Sequence, residues 1–180
     1  MTMSKRIEIP AEKFRTDICK LWSKDWLLLT AGDRDDFNAM TVGWGSIGTM
    51  WGKPFAMIVV RPQRHTIGYL EKGADFTLTA FPEAFRSALQ FCGSKSGRDV
   101  PCKAVAAGLT PIVSAQVASP GYEEAELIIE CKKSFKSCMK AEQFLNPDDI
   151  KNWYPAEDFH EIYFGEIVRI SGTEKYLAQD

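Results

Sequence analysis

Asn38-Ala39-Met40-Thr41-Val42-Gly43-Trp44-Gly45-Ser46-Ile47-Gly48-Thr49-Met50-Trp51-Gly52-Lys53-Pro54 runs into the apolar stretch Phe55 to Val60 and then into Arg61-Pro62-Gln63-Arg64-His65-Thr66. Four glycines alternate here with two tryptophans and several hydroxyls, a mixture that suits neither a packed core nor a solvated loop. Glycine lets the main chain come close to a bound group without a side chain between them. Arg61 and Arg64 follow the apolar run at a spacing that turns both guanidinium forks onto one anion, with the Thr66 hydroxyl beside them. Phosphate is the anion this arrangement suits. The alternative is a small barrel in which the glycines mark bulges and hairpin turns and the arginines are ordinary solvated charges.

Outward from this stretch, Trp26 to Ala31 reads as a buried strand ending in a turn at Gly32 and Asp33, and Asn38 to Gly43 as its hairpin partner. Phe55 to Arg61 is a third strand, bounded in front by Gly52 and Pro54. Thr66 is placed to cap a short helix through Leu70 that ends at Gly73. Asp75 to Phe81 alternates as a half-buried strand does, and Pro82 then opens a helix reaching the turn at Gly93. Cys102 to Ala107 is a further short helix stopped by Gly108, and Ala125 to Cys131 and Glu161 to Ser171 are the late strands. Between them Asn146, Pro147, Asp148 and Asp149 begin a brief helix that ends near Trp153 and Tyr154. Upstream, Ile7 to Leu21 holds a short strand and a helical turn. The pattern is mainly β with short helices, expected as one closed or nearly closed antiparallel barrel over residues 1–180.

Length and composition set the limits. A chain of 180 residues suits a single domain with a real core, and 45% hydrophobic with 26% charged residues is ordinary for a globular protein. A net charge of -2 gives no bulk attraction to nucleic acid or to an anionic membrane, so any phosphate recognition is local. No apolar run is long enough for a bilayer-spanning helix, and Met1 to Pro10 is polar, so a cytoplasmic protein is expected. Five cysteines without a Cys-x-x-Cys pair predict reduced thiols, and two histidines without ligand spacing predict no metal site.

A second polar constellation is Cys92-Gly93-Ser94-Lys95-Ser96-Gly97-Arg98-Asp99, with Lys103 soon behind it. Such a loop offers several N–H and O–H donors to a phosphate. It lacks P-loop spacing, and no Gly-x-Gly-x-x-Gly is present. A plain helix-ending loop is the competing interpretation, because loops use Gly and Ser anyway.

Taken together, Asn38-Ala39-Met40-Thr41 with its Gly and Trp continuation, Arg61-Pro62-x-Arg64-x-Thr66, Cys92-Gly93-x-x-Ser96-Gly97-Arg98-Asp99 and Gly108-Leu109-Thr110-Pro111 resemble the flavin reductase-like family of FMN-binding split barrels, which includes flavoredoxin. The likeness spans roughly Trp26 to Ile170. It implies a split β-barrel that dimerises and holds FMN at or near the dimer interface. By matching positions, Asn38, Ala39, Met40 and Thr41 are expected along the isoalloxazine, with Ser46 nearby. Arg61, Arg64, Thr66, Ser94, Ser96 and Lys103 are expected at the phosphate end.

The chemistry so implied is hydride transfer from NAD(P)H to flavin N5, for which the protein has chiefly to position two rings. No triad or paired-carboxylate arrangement is visible. His160, before the last strand, stands where similar reductases carry a histidine near the flavin or nicotinamide, and is expected to orient the hydride donor; the alternative is a loop histidine at a strand start. Trp44 and Trp51 either shield the flavin or belong to the core or dimer interface. Cys92 is expected as a buried structural thiol. Three functions stay open at this level: an NAD(P)H-dependent flavin reductase acting on small-molecule nicotinamide and flavin, a flavoredoxin-like carrier exchanging electrons with a redox partner protein, and a barrel that binds single-stranded nucleic acid. The absence of a basic stripe weighs against the last.

Overall fold

The structure, a computed structural model, describes residues 5–179. The expectation for the polar N-terminus therefore lies partly outside the described residues. In chain order β1 is Ile7–Glu8 and α1 is Ile18–Lys20, continued by a π-helical turn Leu21–Asp25. Next come β2 Leu27–Gly32, β3 Phe37–Val42, β4 Gly45–Met50 and β5 Lys53–Val60. They are followed by α2 Thr66–Lys72, β6 Asp75–Ala80, α3 Arg86–Ser94 and α4 Lys103–Ala106. The chain closes with β7 Pro111–Ile112, β8 Gly121–Tyr122, β9 Leu127–Cys138, α5 Pro147–Trp153 and β10 Glu161–Gly172.

One antiparallel sheet runs in the order β3-β2-β6-β9-β10-β5-β4, with β1 added to the far end of β10. β3 and β4 are adjacent in sequence and yet stand at opposite ends of this path. The sheet curls almost into a barrel and leaves a split between them. β9 and β10 lose register twice, between Phe164 and Gly165 and between Ile167 and Arg169, irregularities of the kind that bend strands. A Cβ on Gly165 would lie 2.7 Å from the Phe76 ring and 2.8 Å from the Cys131 Cβ, so the crossing of strands there demands glycine.

The alternation of apolar residues builds two cores. Leu27, Leu29, Val42, Ile58, Val60, Leu78 and Ile129 point into the barrel. From the other faces of β2, β3 and β9, Leu28, Ala39 and Ile128 pack beneath α3 with Leu89, Cys92 and Tyr122. Each large side chain so removed from water contributes about 1.5–3 kcal/mol. The strands under α3 are thus covered twice.

That double cover explains one correction. β6 is buried on both faces rather than half-buried. The segment after β7 crosses its polar side, where the Thr77 hydroxyl donates to the Pro120 carbonyl at 2.7 Å and the Asp75 carboxylate accepts from the Ser119 amide at 2.9 Å. A second correction is β4, which the glycines hid. At Gly45 the close approach is to the chain's own Trp22, whose ring carbon would lie 2.3 Å from an added Cβ, and not to a ligand. Third, β9 runs on to Cys138 because its polar half, Lys132 to Ser137, still pairs with β10. Among the described residues no helix is long and apolar enough to cross a membrane.

Candidate functional site

A cavity of about 310 Å³ opens where the sheet is split. Its walls are the end of β3 and the following link (Met40, Thr41, Val42, Gly43, Trp44), the end of β5 and its exit (Val59, Arg61, Arg64), Gly93 at the end of α3, and Trp153 with His160. β3 pairs only with β2, so its other edge leaves main-chain donors and acceptors facing the split. Thr41 fixes that edge against α3, its hydroxyl donating to the Leu89 carbonyl. Asn38 donates from Nδ2 to the Thr66 hydroxyl at 2.7 Å, tying β3 to the start of α2. Thr66 is the first residue of that helix and its hydroxyl accepts from Asn38; the N-cap is His65, whose side chain makes no capping bond. Thr66 is therefore not the cap.

Cations converge on the last turn of α3. Arg64 donates to the Gly93 carbonyl at 2.9 Å, and the Lys103 ammonium donates to the carbonyls of Cys92 at 2.8 Å and Lys95 at 2.7 Å. Part of this is helix capping, since cationic side chains satisfy the free carbonyls at a helix C-terminus. Capping leaves the charge uncompensated, however. Among the described residues neither Arg64 nor Lys103 has a carboxylate partner, and Lys103 is only 3% exposed. Burial lowers the Arg64 guanidinium and holds the Lys103 ammonium down to about 8, with the Arg64 charge adding to the effect. His65 is lowered too, first by burial and then by Arg98 and Lys103. Desolvated positive charge without a counter-charge favours an anion.

The loop after α3 supplies neutral donors beside these cations. Ser96 Oγ accepts from the Arg98 amide at 3.2 Å, while the Ser96 and Gly97 amides make no hydrogen bond among the described residues. Gly97 is pressed against the site, because an added Cβ would lie 2.1 Å from Asn38 Oδ1 and 2.7 Å from His65 Cδ2. Ser94 is exposed and donates back to the Phe91 carbonyl at 3.3 Å.

Several sequence expectations separate in three dimensions. Arg61 and Arg64 line the same cavity but turn to different partners. Arg61 pairs with Asp158 at 2.6 Å, donates to the Trp153 carbonyl at 2.7 Å and lies over the Tyr154 ring, so its charge is compensated where Arg64's is not. Ser46 sits on β4 opposite Met57 and does not line the cavity. Ala39 packs in the second core and Met40 in the first, so what β3 offers at Ala39 is chiefly backbone. Cys92 is fully buried, its thiol pushed up to about 11 by burial. Neither tryptophan is core: Trp44 is at the cavity mouth, and Trp51 is 65% exposed at the β4–β5 turn against Phe135 and Phe164.

The far wall is aromatic. Trp44 meets Trp153 edge-on at 5.1 Å and tilts over the His160 ring at 5.2 Å. His160 is 7% exposed and bonded through Nδ1 to the Tyr154 hydroxyl at 2.8 Å. Burial, helped by Arg61 and opposed by Asp158, holds its imidazole down to about 4. By sequence, Trp153 and Tyr154 mark only the end of a helix. Their one signal was an aromatic pair closing a polar excursion, and nothing in the spacing tied them to His160.

Residues 23–178 match the family model described as a flavin reductase like domain. No curated protein sequence matches the chain. Among solved structures, an FMN-binding domain of a flavin reductases-like enzyme from Shewanella baltica superposes with a TM-score of 0.69 at 15% identity, covering 97% of this chain and 81% of that one. Flavoredoxin from Methanosarcina acetivorans gives 0.65 at 19% identity, covering 98% and 80%. An NADH:FAD oxidoreductase from Streptomyces globisporus gives 0.59 at 14%, covering 81% and 74%. At these identities the likeness is one of fold.

Proposed function

The chain belongs to the flavin reductase-like domain family, and from that premise we propose that it binds FMN in the split of the barrel and acts as an NAD(P)H-dependent flavin reductase. The observation that carries this is the pair of desolvated, uncompensated cations, Arg64 and Lys103, meeting at the end of α3 beside free amides of the Ser96–Gly97 loop. A phosphate monoester fits that donor set. In this proposal Arg64, Lys103, Ser94 and Ser96 hold the phosphate, while Asn38 and Thr66 brace the strand and helix on either side of it. The free edge of β3, from Asn38 to Thr41, lies along the ring system and offers main-chain donors to it.

The chemistry supplied by the cofactor is acceptance of a hydride at N5 from reduced nicotinamide. The protein's part is binding, orientation and exclusion of water. Trp44 and Trp153, packed edge to face, give an aromatic wall for the incoming ring. His160, uncharged above pH of about 4, offers a hydrogen bond there without adding a cation. Arg61 carries no phosphate in this scheme: it ties the chain around α5 to the barrel through Asp158 and Trp153. The functional unit we propose is a homodimer, which suits the exposed Trp44 and Trp153 at the mouth of the site. Sedimentation that gives a monomer at every concentration would refute it.

The test of function is the visible spectrum of the purified protein, titrated anaerobically with NADH and with NADPH. Bleaching of a bound flavin band by either nucleotide is expected. A band bleached by dithionite and by neither nucleotide would replace the reductase with an electron carrier served by a protein partner. Failure to retain any flavin would remove both.

A further inference from the structure

The cavity wall contains a buried pair that sequence spacing did not reveal. Tyr154 Oη lies 2.8 Å from His160 Nδ1 and 3.3 Å from Met139 Sδ. The tyrosine is 4% exposed, its ring at right angles to the imidazole and packed against Phe144 and Phe159. The His160 carbonyl accepts from the Met139 amide at 3.0 Å, so the histidine is fixed from its backbone as well.

A tyrosine has one proton to donate, and here two acceptors compete for it. An imidazole nitrogen at 2.8 Å is both nearer and a much better acceptor than a thioether at 3.3 Å. With the hydroxyl proton given to Nδ1, the better acceptor, the neutral ring carries its own proton on Nε2; in the reverse arrangement Nδ1–H donates to Oη and Oη–H to Met139 Sδ. Nε2 has no hydrogen-bond partner among the described residues, yet it is not among the buried polar atoms left unpaired. Nε2 thus keeps some accessible surface, on a residue that lines the cavity. The charged groups around the pair are Arg61, which opposes protonation of His160, Asp158, which favours it, and Asp149, which acts on Tyr154. Burial outweighs them and keeps the ring neutral.

We propose that Tyr154 is a positioning residue: its hydroxyl holds His160 as the Nε2–H tautomer, so that the cavity wall presents a neutral N–H donor to the carboxamide oxygen of a nicotinamide docked against Trp44. The part concerning the nicotinamide rests on the reductase function proposed above, whereas the hold on His160 stands on geometry alone.

The chain has only two histidines, which makes the tautomer directly readable. Long-range ¹H–¹⁵N spectra of the full chain labelled at histidine, with His65→Gln to assign the signals, are expected to show Nδ1 unprotonated and Nε2 protonated at His160. Tyr154→Phe is expected to give a mixture of tautomers, and Met139→Leu to leave the wild-type pattern. A proton on Nδ1 in the wild type overturns the proposal without recourse to any variant. So does an unchanged tautomer in folded Tyr154→Phe.

In the flavin-loaded protein, loss of one oriented hydrogen bond is expected to raise KM for the nicotinamide about tenfold in Tyr154→Phe with flavin affinity unchanged. An unchanged KM beside an altered tautomer overturns the role in donor binding. The spectra need no flavin, so the expected tautomers in a protein that neither nucleotide reduces would sustain the hold on His160 while refuting the proposed reaction.

Discussion

Lys103 gives the sharpest test of the anion site. Its ammonium donates to two carbonyls and faces no carboxylate among the described residues, and burial, with the Arg64 charge adding, holds it down to about 8. A phosphate dianion placed beside it restores the charged form and raises that value. At pH about 8 a group with this pKa is half protonated, so binding of FMN takes up about half a proton; at pH about 7 it takes up only about a tenth. The phosphate, whose second ionisation lies near pH of about 6, releases about a tenth of a proton at pH about 7, which offsets the uptake there, and only about a hundredth at pH about 8. Calorimetric titration in buffers of different ionisation enthalpy measures this uptake directly. Lys103→Met keeps the buried stem and removes the charge, so the pH-dependent uptake should vanish. Affinity should fall about 10- to 150-fold with the loss of a charge-assisted contact. The carbonyls of Cys92 and Lys95 lose their donor, so a lower melting temperature is expected as well, at about 1–3 kcal/mol for each. Uptake that does not rise between the two pH values, or that is equal in wild type and variant, would refute the placement of phosphate at Lys103.

Arg64→Ala should weaken FMN retention about 10-fold or more, since a half-buried cation is lost, whereas Lys132→Ala, exposed on β9, should not; equal retention on gel filtration would take Arg64 out of the site. Gly97→Ala forces Asn38 and His65 away from the loop, and a loss of about 1–3 kcal/mol in denaturant unfolding together with weaker FMN binding is expected. His160 titrates at about 4 when folded and near 6.5 when unfolded. The unfolded chain therefore binds the proton first as the pH falls, and stability drops between those values by up to about 3 kcal/mol. His160→Gln should flatten that part of the stability profile, and an unaltered profile would contradict the burial of a neutral ring.

Much of the fold was legible along the chain. The apolar run Trp26 to Ala31, the hairpin return at Asn38, the helix opened by Pro147 after the Asn146 cap, and the strand from Glu161 each obey a local rule, and each appears within a residue or two of its expected place. β4 and the polar half of β9 escaped. Their strand character comes from pairing with β5 and β10, and a Gly-rich or Lys-rich segment carries no periodic trace of its partner. The cation-bearing stretches at Arg61 to Thr66 and Cys92 to Lys103 were recognisable as pieces.

What composition and spacing determined, then, was a mainly antiparallel β chain with two donor-rich segments suited to an anion; the family was legible only in the resemblance of its motifs. Which charge is free to meet that anion was decided only in three dimensions. Arg61 and Arg64 are three residues apart and look equivalent, but Asp158 compensates one, while the other is desolvated at the end of α3 with no carboxylate partner among the described residues. The same holds for His160, whose tautomer depends on a tyrosine brought to 2.8 Å by the packing of Phe144 and Phe159. Local sequence fixes backbone preference through short-range sterics, whereas charge compensation, desolvation and proton position depend on distances between segments, and those exist only once the chain has folded.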